Sequence, residues 1–474
     1  MFVGREIEIE KLMLLWKKHV SSFVTCRGRR RIGKSSLIEE FARRSKCRFI
    51  EIVGAAKQKK MTNADQLRHF ADQLVRQSSL PASLAPTCWY DAFLCLDSVI
   101  SDSERTVVLL DEVSWMAQYD PNFAGVLKTV WDTKLKKHDR LVFVVCGSVS
   151  TWIGENILEN SAFAGRLSLN IALGELPLKD CLRFWAGKQN LSAHDVVDVL
   201  SVTGGVPKYL EELDATASAG ENIRRMCFVP GGALVDEFEQ IFSEVFEESA
   251  PLKKRMLRAL SERSLTGTEL AERLGVDRNG HVSRHLKELE TAGFVGRDGG
   301  INPETGKAAK IEHYRICDNY TRFYLHFVEP RIEAIRAGSF EFVSLAQLPG
   351  WQTMLGLQFE NLVVGHYLEL LPHLHERGIL ILSAAPYSKK AKNGGGLQID
   401  LLLQMKEALF VVEVKRRDVI GEEVVREVED KVSKLTVKGR KSIRKALVYE
   451  GRLDPQIVEG GYFDAIVSVD DLLR

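Results

Sequence analysis

Two groups of residues in this 474-residue chain have the types and spacing to do chemistry at phosphorus. In the first, Gly28, Arg29, Arg30, Arg31, Ile32, Gly33, Lys34 and Ser35 fill the pattern G-x-x-x-x-G-K-[ST] at every fixed position, with Ser36 behind it. Glycines at those points let backbone N–H groups curl around an anion, the lysine reaches phosphate oxygens and the hydroxyl ligates Mg2+. The acidic partner such a loop needs is in VVLLDEVSW: Asp111 holds Mg2+ through water, and Glu112 polarises the attacking water. In the second group, Asp400 lies in LQIDLLL, while Glu413 and Lys415 stand two apart in LFVVEVK, on one face of a strand. Two carboxylates meeting at one point bind Mg2+, and a neighbouring lysine positions or deprotonates a water beside a phosphodiester.

These residues need particular elements to hold them. A short strand, Ser22 to Thr25, leads into the glycine loop, and the amphipathic stretch SLIEEFARRS follows as a helix. Apolar runs from Thr106 to Leu110 and from Leu141 to Val145 suit buried parallel strands, the second ending in Cys146-Gly147-Ser148. Ser148 either senses the γ-phosphate and orients water or caps a helix; Arg166 in AGRLSL either stabilises transition-state charge or makes a surface ion pair. Arg29 to Arg31 read as solvated loop charges that raise the local potential. From 166 to 245 the pattern is helical, broken at Thr203-Gly204-Gly205-Val206-Pro207.

Further on, Thr266 and Glu269 form a capping box before Leu270, Ala271 and Leu274, with Gly275 at the turn. Val282, Leu286 and Leu289 then recur at helical spacing and leave His281, Arg284 and Lys287 facing outward, toward a DNA groove or simply toward water. Phe294 to Tyr314 has the length and glycine content of a wing. From 351 a helix (QFENLVVGHYLEL) leads into LQIDLLL and LFVVEVK, joined by a turn from Gln404 to Ala408. SKKAKNGGG, Ser388 to Gly396, reads as a mobile basic loop, and Glu427, Asp430 and Lys431 as the solvated face of the next helix, from which Lys431 could approach a DNA phosphate. The expected fold class is α/β: a P-loop NTPase parallel sheet with a helical lid, a winged helix and a C-terminal α/β domain. The expected boundaries are 1–165, 166–245, 246–320, a helical linker at 321–350, and 351–474.

Composition narrows the function classes. With 65 Lys and Arg against 64 Asp and Glu, a DNA-binding surface has to be a local patch rather than a global excess of charge. The eight cysteines, at 26, 47, 88, 95, 146, 181, 227 and 317, include no C-x-x-C pair, so neither a zinc site nor a disulfide framework is expected. No apolar run reaches the ~18 residues of a membrane span, and MFVGREIEIEKL carries charge where a signal peptide is apolar. A cytoplasmic protein with reduced thiols and no membrane partner is expected.

FVGRE, RRRIGKSSL, LLDEVSWM, the strand ending in CGS, AGR and TGGVPKYL occur in an order that resembles the archaeal-type P-loop ATPases, relatives of the AAA+ and STAND NTPases. That resemblance implies ATP with Mg2+ as cofactors, an adenine pocket formed with Val3 to Glu6, and a nucleotide-sensing turn at Gly205-Val206-Pro207. The pattern from Asp400 to Glu413-x-Lys415 resembles the PD-(D/E)xK nucleases, whose restriction-endonuclease-like core runs αβββαβ; Glu360 in QFENLV matches the acidic residue of its first helix. Gln398-Ile399 stands where that pattern has a proline before the aspartate. The combined expectation is an ATPase that binds DNA and cleaves it. The rival is a nucleotide switch whose last domain only makes contacts. A third possibility is a ring-shaped DNA motor, a homo-oligomer in which Arg166 acts between subunits.

Overall fold

Five parallel strands, β1 (Ser22–Gly28), β2 (Arg48–Val53), β3 (Thr106–Asp111), β4 (Leu141–Gly147) and β5 (Leu167–Leu173), form a sheet in the order β2-β3-β4-β1-β5. They belong to a computed structural model that describes the chain apart from residues 1, 57, 59, 149, 186–190, 247–248, 277–279, 310–311, 375–379, 390–395 and 440 and the side chains of 150 and 151. The chain divides into two units, Met1–Glu175 and Leu176–Arg474.

In the first unit β3 and β4 are buried at every residue, which is why both are unbroken apolar runs. The edge strands β2 and β5 alternate buried with more exposed positions, so neither is a continuous apolar run. Because β5 joins this sheet, the unit runs to Glu175 rather than stopping at 165. One face of the sheet, with Phe23, Val108, Leu110 and Phe143, packs on Phe70, Trp89, Phe93 and Phe123. Trp89 and Phe123 meet edge to face at 4.8 Å. Helix Lys34–Ser45 packs against the sheet through Leu37, Ile38 and Phe41. Parallel strands all present their C-terminal ends on one edge, where open α/β sheets bind ligands. The glycine loop follows β1, Asp111 ends β3 and Ser148 follows β4 on that edge.

The second unit opens with short helical turns at Leu178–Cys181 and Leu182–Trp185, followed by helices Ala193–Thr203, Pro207–Leu210, Ala219–Cys227 and Glu237–Phe246. Helices Ala250–Glu262, Gly267–Leu274 and Gly280–Thr291 follow, with an antiparallel sheet of β6 (Leu265–Thr266), β7 (Val295–Asp298) and β8 (His313–Ile316) in the order β6-β8-β7. The Thr266–Glu269 capping box forms, and Gly275 ends that helix with φ 64°, a left-handed turn that glycine adopts without strain.

The chain then runs through helix Trp351–Gly365, β9 (Ile381–Lys389), β10 (Leu397–Met405), β11 (Ala408–Ile420), helix Glu423–Lys434, β12 (Ser442–Leu453) and β13 (Ala465–Ser468). The sheet order is β13-β12-β11-β10-β9: antiparallel from β9 to β11, parallel from β11 to β13. The β10–β11 turn is tighter than the sequence suggests, because Gln404 still pairs with Leu409. Ser388 and Lys389 end β9 rather than opening a loop, and residues 390–395 of the expected basic loop lie outside the described residues. Among the described residues no helix is long and apolar enough to cross a membrane.

Candidate nucleotide, DNA and phosphodiester sites

Gly28 passes so close to β5 that a Cβ there would stand 2.5 Å from the Leu173 carbonyl oxygen, and Gly33 turns into the helix with φ 86°. Both glycines are therefore required by geometry. Lys34 bends back so that its ammonium donates to the carbonyls of Gly28 (3.2 Å) and Arg29 (3.1 Å), which keeps the loop curled ahead of the helix N-terminus. Ser35 donates its hydroxyl to the Asp111 carboxylate, so the hydroxyl and carboxylate expected to share Mg2+ already adjoin. This donor set fits Mg2+ with a nucleotide phosphate: Ser35 as direct ligand, Asp111 through water.

Glu112 has φ 48°, a left-handed backbone that a glutamate adopts only under local constraint. Its carboxylate accepts from the Ser148 hydroxyl (2.8 Å) and backbone N–H (3.3 Å), so Ser148 holds the glutamate. Arg29 is buried, with Glu175 at 3.8 Å, and is not a solvated loop charge. Arg30 lies 5.9 Å from the Trp115 ring centroid, and Arg31 takes φ 69°. Arg5 is a further supporting residue: it donates to the carbonyls of Gly174 (2.6 Å) and Ile32 (3.3 Å), pinning the loop from behind. Only its place in FVGRE pointed to it. Arg166 forks onto Asp132 of its own chain, with Nε at 2.9 Å and Nη2 at 2.8 Å. That contact, with opposing burial, lowers the Asp132 carboxyl to about 2. Pro207 opens a short helix behind Val206 in the second unit, where Gly205 accepts from the Leu176 N–H at 2.8 Å.

In the middle domain Val282, Leu286 and Leu289 are buried and His281, Arg284 and Lys287 are exposed, as the helical period requires. Arg284 stands 3.4 Å from His281 and 3.7 Å from Glu288. The hairpin between β7 and β8 is docked on the C-terminal sheet. The Ile301 N–H donates to Ser383 (3.1 Å), Gln404 donates to the Ile301 carbonyl, the Lys438 N–H donates to the Pro303 carbonyl (2.8 Å), and Lys389 pairs with Glu304. The outward face of helix Gly280–Thr291 carries Arg284 and Lys287 together with His281.

The C-terminal residues converge at the middle of the sheet. Leu401 pairs with Val412, and the ladder between β9 and β10 is irregular from Ile399 to Leu402. That bulge lets the Asp400 carboxylate accept the Val414 N–H at 2.9 Å. Glu413 is wholly buried. Lys415 reaches its Oε1 at 2.7 Å and also Glu427 at 2.7 Å, while Lys431 reaches its Oε2 at 2.6 Å and Asp400 at 3.7 Å. Glu427 and Lys431 thus face this cluster, contrary to the solvated face expected of them, and only Asp430 is exposed, pairing with Lys434. Burial and then the Glu413 charge push the Asp400 carboxyl up; burial and then Asp400 do the same to Glu360. Burial opposes protonation of Lys415, but Glu413 and Glu427 outweigh it and raise the ammonium. Among the described residues no three His, Cys, Asp or Glu side chains gather closely enough to hold a metal ion, so Glu360 feels the Asp400 charge without completing a three-carboxylate set. The pair Asp400 and Glu413 still fits a divalent cation: both are oxygen donors, both are buried, and a cationic group already stands between them.

Polar contacts bind this domain to the helices that open the second unit. Arg416 pairs with Asp198 and, at 2.7 Å, with Glu450; His194 meets Glu450 at 2.7 Å; Gln358 donates to the Ser201 carbonyl at 2.8 Å.

Residues 2–213 match the ATPase domain found predominantly in Archaea, and residues 249–296 match a helix-turn-helix domain. An uncharacterized protein of Methanocaldococcus jannaschii is 25% identical over 459 residues, covering 95% of this chain and 96% of the relative. The Walker-type ATPase paby2304 of Pyrococcus abyssi superposes with a TM-score of 0.51 at 16% identity, over 69% of this chain and 96% of its own. The Aeropyrum pernix ORC2 protein, solved with ADPNP and ADP, aligns over 71% of this chain and 95% of its own at 13% identity and a TM-score of 0.44. The chain therefore carries an archaeal-type ATPase domain with the Walker-type fold, followed by a helix-turn-helix domain.

Proposed function

We propose that this protein binds and hydrolyses ATP in its first unit, binds DNA through its middle domain, and cleaves DNA with a Mg2+-dependent site in its last domain. Lys34 and the N–H groups of the glycine loop hold the phosphates, Ser35 and Asp111 hold Mg2+, and Glu112, once released by Ser148, aligns the attacking water. His281, Arg284 and Lys287 meet the DNA.

The observation that carries the nuclease reading is the cluster around Glu413. A fully buried carboxylate flanked by two lysines and a second carboxylate, Asp400, is costly to bury and is a natural place for a phosphodiester and its metal. The order helix, β9, β10, β11, helix, β12 supports it by matching the αβββαβ core of the restriction-endonuclease-like fold. In this reading Asp400 and Glu413 hold Mg2+, with Glu360 as neighbour, and Lys415, steadied by Glu427, faces the scissile phosphate. Mg2+ supplies charge neutralisation at the phosphate and a more acidic water.

The assay is incubation of supercoiled and single-stranded DNA with Mg2+, with and without ATP. Wild type is expected to cut, and Asp400→Asn and Lys415→Met are expected not to; DNA left intact by all three would remove the nuclease reading. The switch reading is favoured by one observation: each oxygen of Glu413 already has a lysine ammonium within 2.7 Å. Steady-state ATP hydrolysis that disappears in Lys34→Ala and Glu112→Gln would count against a switch.

A further inference from the structure

Lys431 reaches the Glu413 cluster from a direction the D…E-x-K pattern does not include. Helix Glu423–Lys434 lies over β10 and β11, with Val424 and Val428 buried. Counting from Val424, positions 427, 428 and 431 continue the same stripe at i+3, i+4 and i+7, so the stripe begins apolar and ends in Glu427 and Lys431. The apolar residues press the helix onto the sheet and deliver the two charged ones to the acidic site.

The two lysines on Glu413 differ in what else holds them. Lys415 has Glu427 as a second carboxylate at 2.7 Å, and Glu427 lies on the far side from Asp400 in this chain of ion pairs. The second carboxylate of Lys431 is Asp400, at 3.7 Å. An incoming divalent cation shared by Asp400 and Glu413 takes both partners of Lys431 but leaves Lys415 its second carboxylate, Glu427. Like charges repel strongly in so buried a setting. Lys431 is therefore the cation that has to yield.

We propose that Lys431 is the resident counter-ion of the Asp400–Glu413 site, exchanging with a divalent cation and then passing to a phosphate oxygen of the bound polynucleotide. The inference rests on the nuclease reading above. It makes metal and DNA binding mutually reinforcing. Without DNA, metal entry strands an ammonium; with DNA, the phosphate receives it, and linkage requires each ligand to tighten the other.

The test measures Mn2+ binding to the full chain by titration calorimetry, with and without a phosphorothioate duplex that resists cleavage. The relevant site is the binding component lost in Glu413→Gln. In wild type, DNA should tighten Mn2+ by about ten-fold; in Lys431→Met, Mn2+ should bind about ten-fold tighter without DNA, and DNA should add nothing. Lys431→Arg keeps the charge and should behave as wild type, which also guards against a Met variant that is merely misfolded. Glu413-dependent Mn2+ binding that is unchanged or weaker in Lys431→Met, or equally weak with and without DNA in wild type, would overturn the inference and leave the nuclease reading standing. No Glu413-dependent Mn2+ binding in wild type would overturn both.

Discussion

Removing Glu413 alone should destabilise the last domain, and removing Lys431 with it should recover part of the loss. Glu413 is fully buried, and its Oε2 lies 2.6 Å from the Lys431 ammonium, whose side chain is 19% exposed. Glu413→Gln leaves two ammonium groups short of a counter-charge, and breaking a buried pair from one side costs about 3 kcal/mol. The loss stays near the lower end because Lys415 keeps Glu427 and Lys431 keeps Asp400. Lys431→Met strands the carboxylate instead and should cost a similar amount. In the double variant no charge of this pair is left unmatched, so its cost should fall below the sum of the single ones by about 2 kcal/mol, the coupling of a close, partly screened pair. Hydrogen exchange read by mass spectrometry over Ala408–Ile420 localises the effect to β11, which whole-chain unfolding of a protein with several domains does not. Strictly additive protection losses would show that Lys431 and Glu413 do not interact, and would remove the basis for treating Lys431 as part of the site.

Other expectations follow from particular contacts. Arg166→Ala should hydrolyse ATP within about two-fold of wild type, because its guanidinium is held by Asp132; a loss of about 100-fold or more would restore a transition-state role. His138 lies between Asp97 (2.9 Å) and Asp102 (2.6 Å); burial opposes its protonation, but the two carboxylates outweigh it and raise its pKa. Its contribution should be complete below the ordinary histidine value and lost as pH rises through the raised one, a dependence that thermal melts should show reduced in Asp97→Asn. Gly451 takes φ 125° where a side chain would run into the Arg417 carbonyl, so Gly451→Ala should cost about 3 kcal/mol or more and lower the melting temperature of the last domain. Gln404→Ala should loosen the docked hairpin at Ile301, seen as faster exchange at residues 299–309, while leaving ATP hydrolysis unchanged.

What the sequence made legible was local. The glycine loop, Asp111-Glu112 and the buried strands β3 and β4 announce themselves because each is a contiguous stretch whose chemistry and burial coincide. Strands β2 and β5 lie at the edges of the sheet, where burial alternates, and β9 is half-buried along most of its length, so none of the three has a long apolar run. The E-x-K spacing placed Glu413 and Lys415 correctly on one face of a strand. Lys431 read from the sequence as part of a solvated helix face or as a contact for a DNA phosphate, because its helical stripe mixes valines with charges; Val424 and Val428 press that stripe onto the sheet and bring Lys431 to Glu413. Burial of Arg29 against Glu175, support of the loop by Arg5, and docking of the hairpin at Ser383 and Gln404 depend on residues more than 80 positions apart, and no local pattern records such pairings.

Metal-dependent chemistry in the last domain requires that Asp400 and Glu413 share a divalent cation. Crystals of the nucleotide-free protein soaked in Mn2+ and measured at the manganese absorption edge give the answer directly. The expected result is an anomalous peak between the two carboxylates, with the Lys431 ammonium displaced from both. Density showing Lys431 still on Glu413 and no manganese beside Asp400 would contradict it.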